Sequence, residues 1–346
     1  MISFRTVSTP RLRIHLAEHG PEDGVPVLFI HGNASSSVFW HDELAALPPG
    51  FRGLAPDLRG YGDTDDLLVD ATRGVGDWVD DLLGLIDALG LERVHVVGHS
   101  LGGVVVYGLL AARPAAFRTA TLVAPGSPWG FGGSRGLDGA PCWPDAAGSG
   151  GGVVNPEFAR LLGLKDRGSD NPQASPRVVM NTFYWKPPFV PAREEALLTS
   201  VLSERVGPNR YPGDATPSAN WPGTAPGRFG PVNALSPRYV GDLVDRLLTA
   251  TPKPPILWVR GDADQIVSDA SLFDLGTLGQ LGLVPGWPGI EVYPPQPMVG
   301  QVRRVLERYA AAGGAFVETV IPGTGHTPYL EAPAPFRAAF HPHLRA

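Results

Sequence analysis

The chain of 346 residues has one cysteine, Cys142, which excludes an internal disulfide and any cysteine-built metal cluster. This economy fits a reducing compartment. Positive charge is also scarce, with 28 Lys and Arg against 34 Asp and Glu, a formal net charge of −6 and no long basic cluster. A surface that tracks phosphates is therefore not expected, and neither a nucleic acid nor an anionic membrane is an expected partner. No apolar run reaches the roughly 18 residues that a membrane span requires. The first residues carry Arg5, Arg11 and Arg13 among alternating apolar positions, without the apolar stretch and small residues of a signal peptide. These absences together lead us to expect a cytoplasmic protein acting on a small molecule.

Glycine and proline, by contrast, are abundant, at 44 and 37 residues, and they concentrate in 125–152, 207–231 and 285–297. Trp129, Phe131, Trp143, Trp221, Phe229 and Trp287 are interleaved with them, so these stretches read as ordered loops packed on something. Residues 12–18 (LRIHLAE) alternate as a half-buried strand does. The runs VLFI (27–30), VHVV (94–97), TLVA (121–124), ILWV (256–259) and FVETVI (316–321) read as buried strands. Helical spacing lies between several of them, as in Trp78, Leu82, Leu83, Ile86 and Leu89 before Gly90, and in Leu101 to Ala112 before Pro114.

Strands alternating with helices predict an α/β fold, a doubly wound, mostly parallel sheet. The alternation stops between Ala124 and Ile256, where helical signals are patchy (156–164, 192–204, 237–249). We therefore expect a core in two parts, 1–125 and 250–346, around a loop-rich helical cap or lid at 126–249.

Gly98-His99-Ser100-Leu101-Gly102 stands directly after one buried strand and directly before a helix. A strand-to-helix turn this tight needs glycine two residues either side of the serine. It lifts the hydroxyl to the helix N-terminus and aims the next backbone N–H at a developing oxyanion. Upstream, His31-Gly32-Asn33 ends another strand, where the Asn33 N–H is the natural second donor and His31 is read as a loop support. Downstream, LWVRGDADQIV ends a strand with two acids, and VIPGTGHTPYLEAP ends the last strand with His326. A serine hydroxyl needs an imidazole to take its proton and a buried carboxylate to fix the tautomer. Ser100, Asp264 and His326 fill those places, Asp264 standing three residues after Gly261. The other histidines, such as His15, His19, His41, His95, His341 and His343, show no ligand-like spacing with carboxylates, so no metal site is expected, and His99 reads as a packing or hydrogen-bonding residue.

Through FIHGNASSS, LAPDLRGYGDTD, VVGHSLGG, WVRGDADQIV and PGTGHTPYLE, the chain resembles the α/β-hydrolase fold superfamily over 25–125 and 250–335. The resemblance implies a Ser100–His326–Asp264 triad, an oxyanion hole from the N–H groups of Asn33 and Leu101, and no cofactor. It implies no substrate, because this superfold hosts many chemistries. Haloalkane dehalogenases and epoxide hydrolases use aspartate where this chain has Ser100. Proline iminopeptidases usually carry tryptophan after the serine, where this chain has Leu101. Asp57, Arg59 and Asp63 in DLRGYGD read as scaffold that holds loops.

The expected function is hydrolysis of a carboxylic ester or lactone of a small, largely apolar molecule. C–C cleavage of a diketone-like substrate, or a ligand receptor built on a hydrolase scaffold, are the alternatives. Trp129 and Phe131, in the SPWGFGG segment tethered to the TLVA strand, are expected to line the substrate pocket.

Overall fold

The computed structural model describes residues 1–345. Eight strands form one sheet: β1 (Ser3–Ser8), β2 (Arg13–His19), β3 (Val25–Ile30), β4 (Phe51–Pro56), β5 (Val94–His99), β6 (Phe117–Val123), β7 (Ile256–Gly261) and β8 (Phe316–Ile321). Their spatial order is β1-β2-β4-β3-β5-β6-β7-β8. The β1/β2 and β2/β4 pairs are antiparallel, and the remaining pairs are parallel.

The central strands are apolar on both sides because helices cover both faces. One face packs Val96, Leu122, Ile256 and Trp258 against α1 (Gly76–Ala88), α2 (Leu101–Ala112) and α6 (Met298–Ala311). The other packs Phe29, Val97, Val123 and Val259 against Trp40, Tyr329 and Phe336 of α7 (Pro333–His343). Helix α2 is buried nearly all round, from Leu101 to Leu110. That accounts for its unbroken apolar sequence and for a start held rigidly in the core.

After β3 the chain steps to β4 on one side; after β4 it crosses to β5 on the other. The carboxyl ends of β3 and β5 thus flank the point where strand order reverses, the usual ligand crevice of open α/β sheets.

Between β6 and β7, helices α3 (Pro156–Gly163) and α4 (Glu194–Val201) bury Phe158, Leu162, Leu197, Leu198 and Val201 with Met180, Trp185 and Tyr211. This cluster closes on Ala34 and Phe39 of the segment after β3. Helix α5 (Leu243–Thr249), inside the expected cap range, puts Leu243, Val244 and Leu247 into the cluster around α1 and α2. No helix among the described residues is long and apolar enough to cross a membrane.

Candidate active site

Strand register builds the site. Ile30 of β3 pairs with Gly98 of β5, so Gly32 and Ser100 emerge side by side. A Cβ on Gly32 would stand 3.1 Å from that of Ser100. Side chains at Gly98 and Gly102 would strike the Gly102 carbonyl and the Ile30 and His31 carbonyls respectively, which explains the glycine on each side of the turn. Ser100 itself has φ 56° and ψ −116°. A non-glycine residue in that region stores about 1–3 kcal/mol of strain and persists only where its surroundings hold it. Here its N–H donates to the Val123 carbonyl at 3.0 Å, and its carbonyl accepts from Gly103 at 2.9 Å and Gly126 at 3.2 Å. Leu101 opens α2, and among the described residues neither its N–H nor that of Asn33 has a backbone acceptor.

His326 and Asp264 meet from neighbouring strand ends. The His326 loop folds over the end of β7 at Gly261, where any side chain would collide with the Thr324 and Gly325 carbonyls. His326 Nδ1 then lies 2.8 Å from Asp264 Oδ2, with both residues buried. Asp264 Oδ1 accepts from the N–H groups of Ile266 at 2.8 Å and Val267 at 3.0 Å, so the carboxylate is gripped at both oxygens. Since Nδ1 donates to Asp264, Nε2 is the lone-pair nitrogen. No hydrogen bond ties it to the Ser100 hydroxyl among the described residues; such contacts often tighten only with substrate bound. The other acid of that turn, Asp262, accepts from the Gly323 N–H at 2.7 Å instead.

The three residues read as scaffold hold the surrounding loops. Asp57 accepts from Ser37 N–H at 2.7 Å and Asp63 N–H at 2.9 Å and lies 3.0 Å from His15 Nδ1. Burial pushes its carboxyl up, but the His15 hydrogen bond and the two N–H donors outweigh that and hold it down at about 2. His15, Asp57 and Asp63 lie close enough for a metal, yet these bonds already occupy the Asp57 oxygens. Arg59 pairs with Asp81 at 2.7 and 2.8 Å. His31 accepts the Leu58 N–H on Nε2 at 3.0 Å and donates from Nδ1 to the Gly32 carbonyl at 2.8 Å, and burial keeps it neutral.

Trp129 packs on the large cluster of the core. The Trp129 indole packs over Gly139 and against the α2-side cluster that also holds Leu235 and Tyr239, and Phe131 N–H donates to the Leu235 carbonyl at 2.7 Å. Gln296 fixes the segment by accepting the Gly132 N–H at 2.7 Å and donating to the Gly130 carbonyl at 2.9 Å. The glycines at 130, 132 and 133 serve fixed turns, with φ between 70° and 96°.

Two further residues support the site: His99, in the hydrogen-bonding role expected for it, and Glu331, whose role the sequence did not show. His99 donates from Nε2 to the His326 carbonyl at 2.9 Å, and burial holds its ring neutral. Glu331 accepts the Gly325 N–H at 2.8 Å and the Lys186 N–H, from the segment between β6 and β7, at 2.8 Å, clamping the two together. Burial, aided by the nearby Asp264 charge, raises its carboxyl to about 7 despite those donors and His326. Glu331 lies in PYLEAP, so its presence was visible, but its partners were not.

With this geometry in place, the family model described as alpha/beta hydrolase fold matches residues 25–278, and the chain belongs to that family. Its architecture is that of the α/β-hydrolase fold. Epoxide hydrolase 2 of Siraitia grosvenorii is 38% identical over 114 residues, which is 33% of this chain and 35% of that protein. An uncharacterized carboxylesterase of Bacillus subtilis (strain 168) is 31% identical over 120 residues, 34% of this chain and 39% of its own length. The chain thus matches little more than a third of the length of these curated relatives. Among solved structures, the 2-hydroxy-6-oxo-6-phenylhexa-2,4-dienoate hydrolase of Rhodococcus sp. strain RHA1 superposes with a TM-score of 0.59 at 18% identity, covering 100% of this chain and 99% of that one. That likeness concerns the fold.

Proposed function

We propose that the protein is a serine hydrolase that cleaves a carboxylic ester or lactone of a small, largely apolar molecule through an acyl-enzyme. The observation that carries this reading is the His326 Nδ1–Asp264 Oδ2 bond of 2.8 Å, with His326 tied through its carbonyl to His99, the residue before a serine at positive φ on a strand-to-helix turn. In this scheme Ser100 Oγ attacks the carbonyl while His326 Nε2 takes its proton. Asp264 holds the imidazole in the productive tautomer and stabilises the cation that forms. The N–H groups of Asn33 and Leu101 receive the negative charge of the tetrahedral intermediate. His326 returns the proton to the leaving alcohol, and water then repeats the sequence on the acyl-enzyme.

The similarity to an epoxide hydrolase does not carry that chemistry here, because the residue on the turn is serine rather than the aspartate such enzymes use. The carboxylesterase relative agrees with the ester reading. A panel of p-nitrophenyl esters of graded acyl length, simple lactones and a vinylogous 1,5-diketo acid tests it. Turnover of esters or lactones with an acyl-length optimum is expected; turnover confined to the diketo acid would replace ester cleavage with C–C cleavage.

A further inference from the structure

The loop that presents Asn33 is held from the cap. Ala34, the next residue, sits at φ 43°, a left-handed conformation that a side chain disfavours, and it is buried. Such a residue needs partners to keep it there. The Tyr184 hydroxyl donates to the Ala34 carbonyl at 3.0 Å and leans on that of Asn33 at 3.4 Å. Glu204, just beyond α4, lies buried near Ala34. Ser200 of α4 bonds Ser36 at 2.7 Å, and the Tyr61 hydroxyl donates to Asn33 Oδ1 at 2.8 Å from the core.

Tyr184 also reaches the opposite wall. Its carbonyl accepts the Thr327 hydroxyl at 2.7 Å, directly after His326, and two residues on, Lys186 N–H donates to Glu331. One cap segment therefore spans the loop that carries Asn33 and the loop that carries His326. Burial keeps the Tyr184 phenol well above the ordinary tyrosine range, so it stays a donor.

We propose that Tyr184 is a positioning residue, its hydroxyl fixing the Asn33–Ala34 backbone so that the Asn33 N–H faces the Ser100 carbonyl-binding position. The inference rests on the serine-hydrolase reading. Through Tyr184 the cap sets the oxyanion hole as well as covering the site, and correct docking of the cap becomes a condition for catalysis.

The test is Tyr184→Phe, which removes one oxygen and keeps the ring in its place. Initial rates on p-nitrophenyl acetate, too small to depend on cap contacts, are measured with amide exchange in the peptide covering 31–36. Loss of one oxyanion donor outright costs about 10²–10³ in kcat, so misplacing it should cost about 10-fold or more, with KM changed less than about twofold. Amide exchange in 31–36 should rise in parallel. An unchanged kcat, a rise in KM alone, or unchanged exchange would each overturn the proposal. Ser100→Ala, run alongside, keeps the two ideas separable. If it retained wild-type turnover the hydrolase reading would fail, whereas the exchange measurement reports on the Tyr184 hold without any activity.

Discussion

His99 Nε2 donates to the backbone carbonyl of His326 at 2.9 Å, so the residue before the candidate nucleophile supports the candidate base across 227 positions of sequence. A carbonyl only accepts, which fixes His99 as the Nε2–H tautomer and leaves its Nδ1 buried without a partner. His99→Ala should therefore lower kcat about 10-fold with little change in KM, since a small displacement of a catalytic group costs rate more than binding. His99→Gln, whose amide can still donate, should recover part of the loss. Equal kcat for wild type and the alanine variant would remove His99 from this role.

The two acids of the β7 turn should separate cleanly. Asp264→Asn should lower kcat about 10²- to 10⁴-fold, as expected when the imidazole loses its orienting carboxylate. Asp262→Asn, which alters only the bond to the Gly323 N–H, should cost less than about 10-fold, because the loop it steadies is also held elsewhere. A larger loss at Asp262 in a folded variant would reverse the assignment.

Asp57 should be a stability residue whose contribution depends on acidity. Its carboxyl is held at about 2 in the folded protein. The stabilisation is fully present above the unfolded value near ~3.9 and is lost as pH falls through about 2. Asp57→Asn should cost about 2–3 kcal/mol in urea denaturation at pH 7, from a shift of roughly two pK units, and distinctly less near pH 3. A cost independent of pH would mean that geometry, not charge, dominates.

Glu331 shows the opposite sign. Its carboxyl is raised to about 7, so the folded protein keeps a proton that the unfolded chain releases near ~4.3. The penalty is absent at low pH, grows through that interval and is complete above 7. Glu331→Gln, which cannot ionise, should therefore gain in melting temperature relative to wild type as pH rises from 5 to 8. A flat difference across that range would show that the carboxylate is comfortably charged between its two N–H donors.

Sequence alone exposed the parts of this fold that are buried on both sides. β3, β5, β6 and β7 are short apolar runs, and Ser100, Asn33 and Asp264 each stand within a few residues of a strand end, where pattern and turn chemistry coincide. β1 left no trace because of its six residues only Val7 is buried, so no alternation appears. β4 was masked by Gly53, whose missing side chain admits Leu44 and Leu47, and by its terminal Pro56. Helix α5 carries the same spacing as a cap helix would, and only its packing on α2 assigns it to the core. The hold of Tyr184 on Ala34 crosses 150 positions, and that of Gln296 on Gly130 crosses 166. No local pattern announces such contacts. Trp129 is a like case: its nearness in sequence to the β6 end was legible, whereas the packing of its ring over Gly139 and the α2-side cluster was not.

The central claim is that Ser100 is the nucleophile activated by His326, and covalent labelling addresses it directly. The protein is treated with a fluorophosphonate, digested, and the modified residue located by mass spectrometry, with Ser100→Ala and His326→Ala treated in parallel. The account predicts a single adduct on Ser100, none in the Ser100→Ala variant, and labelling slowed at least about 100-fold in His326→Ala. An adduct on another residue, or equally fast labelling without His326, would contradict it.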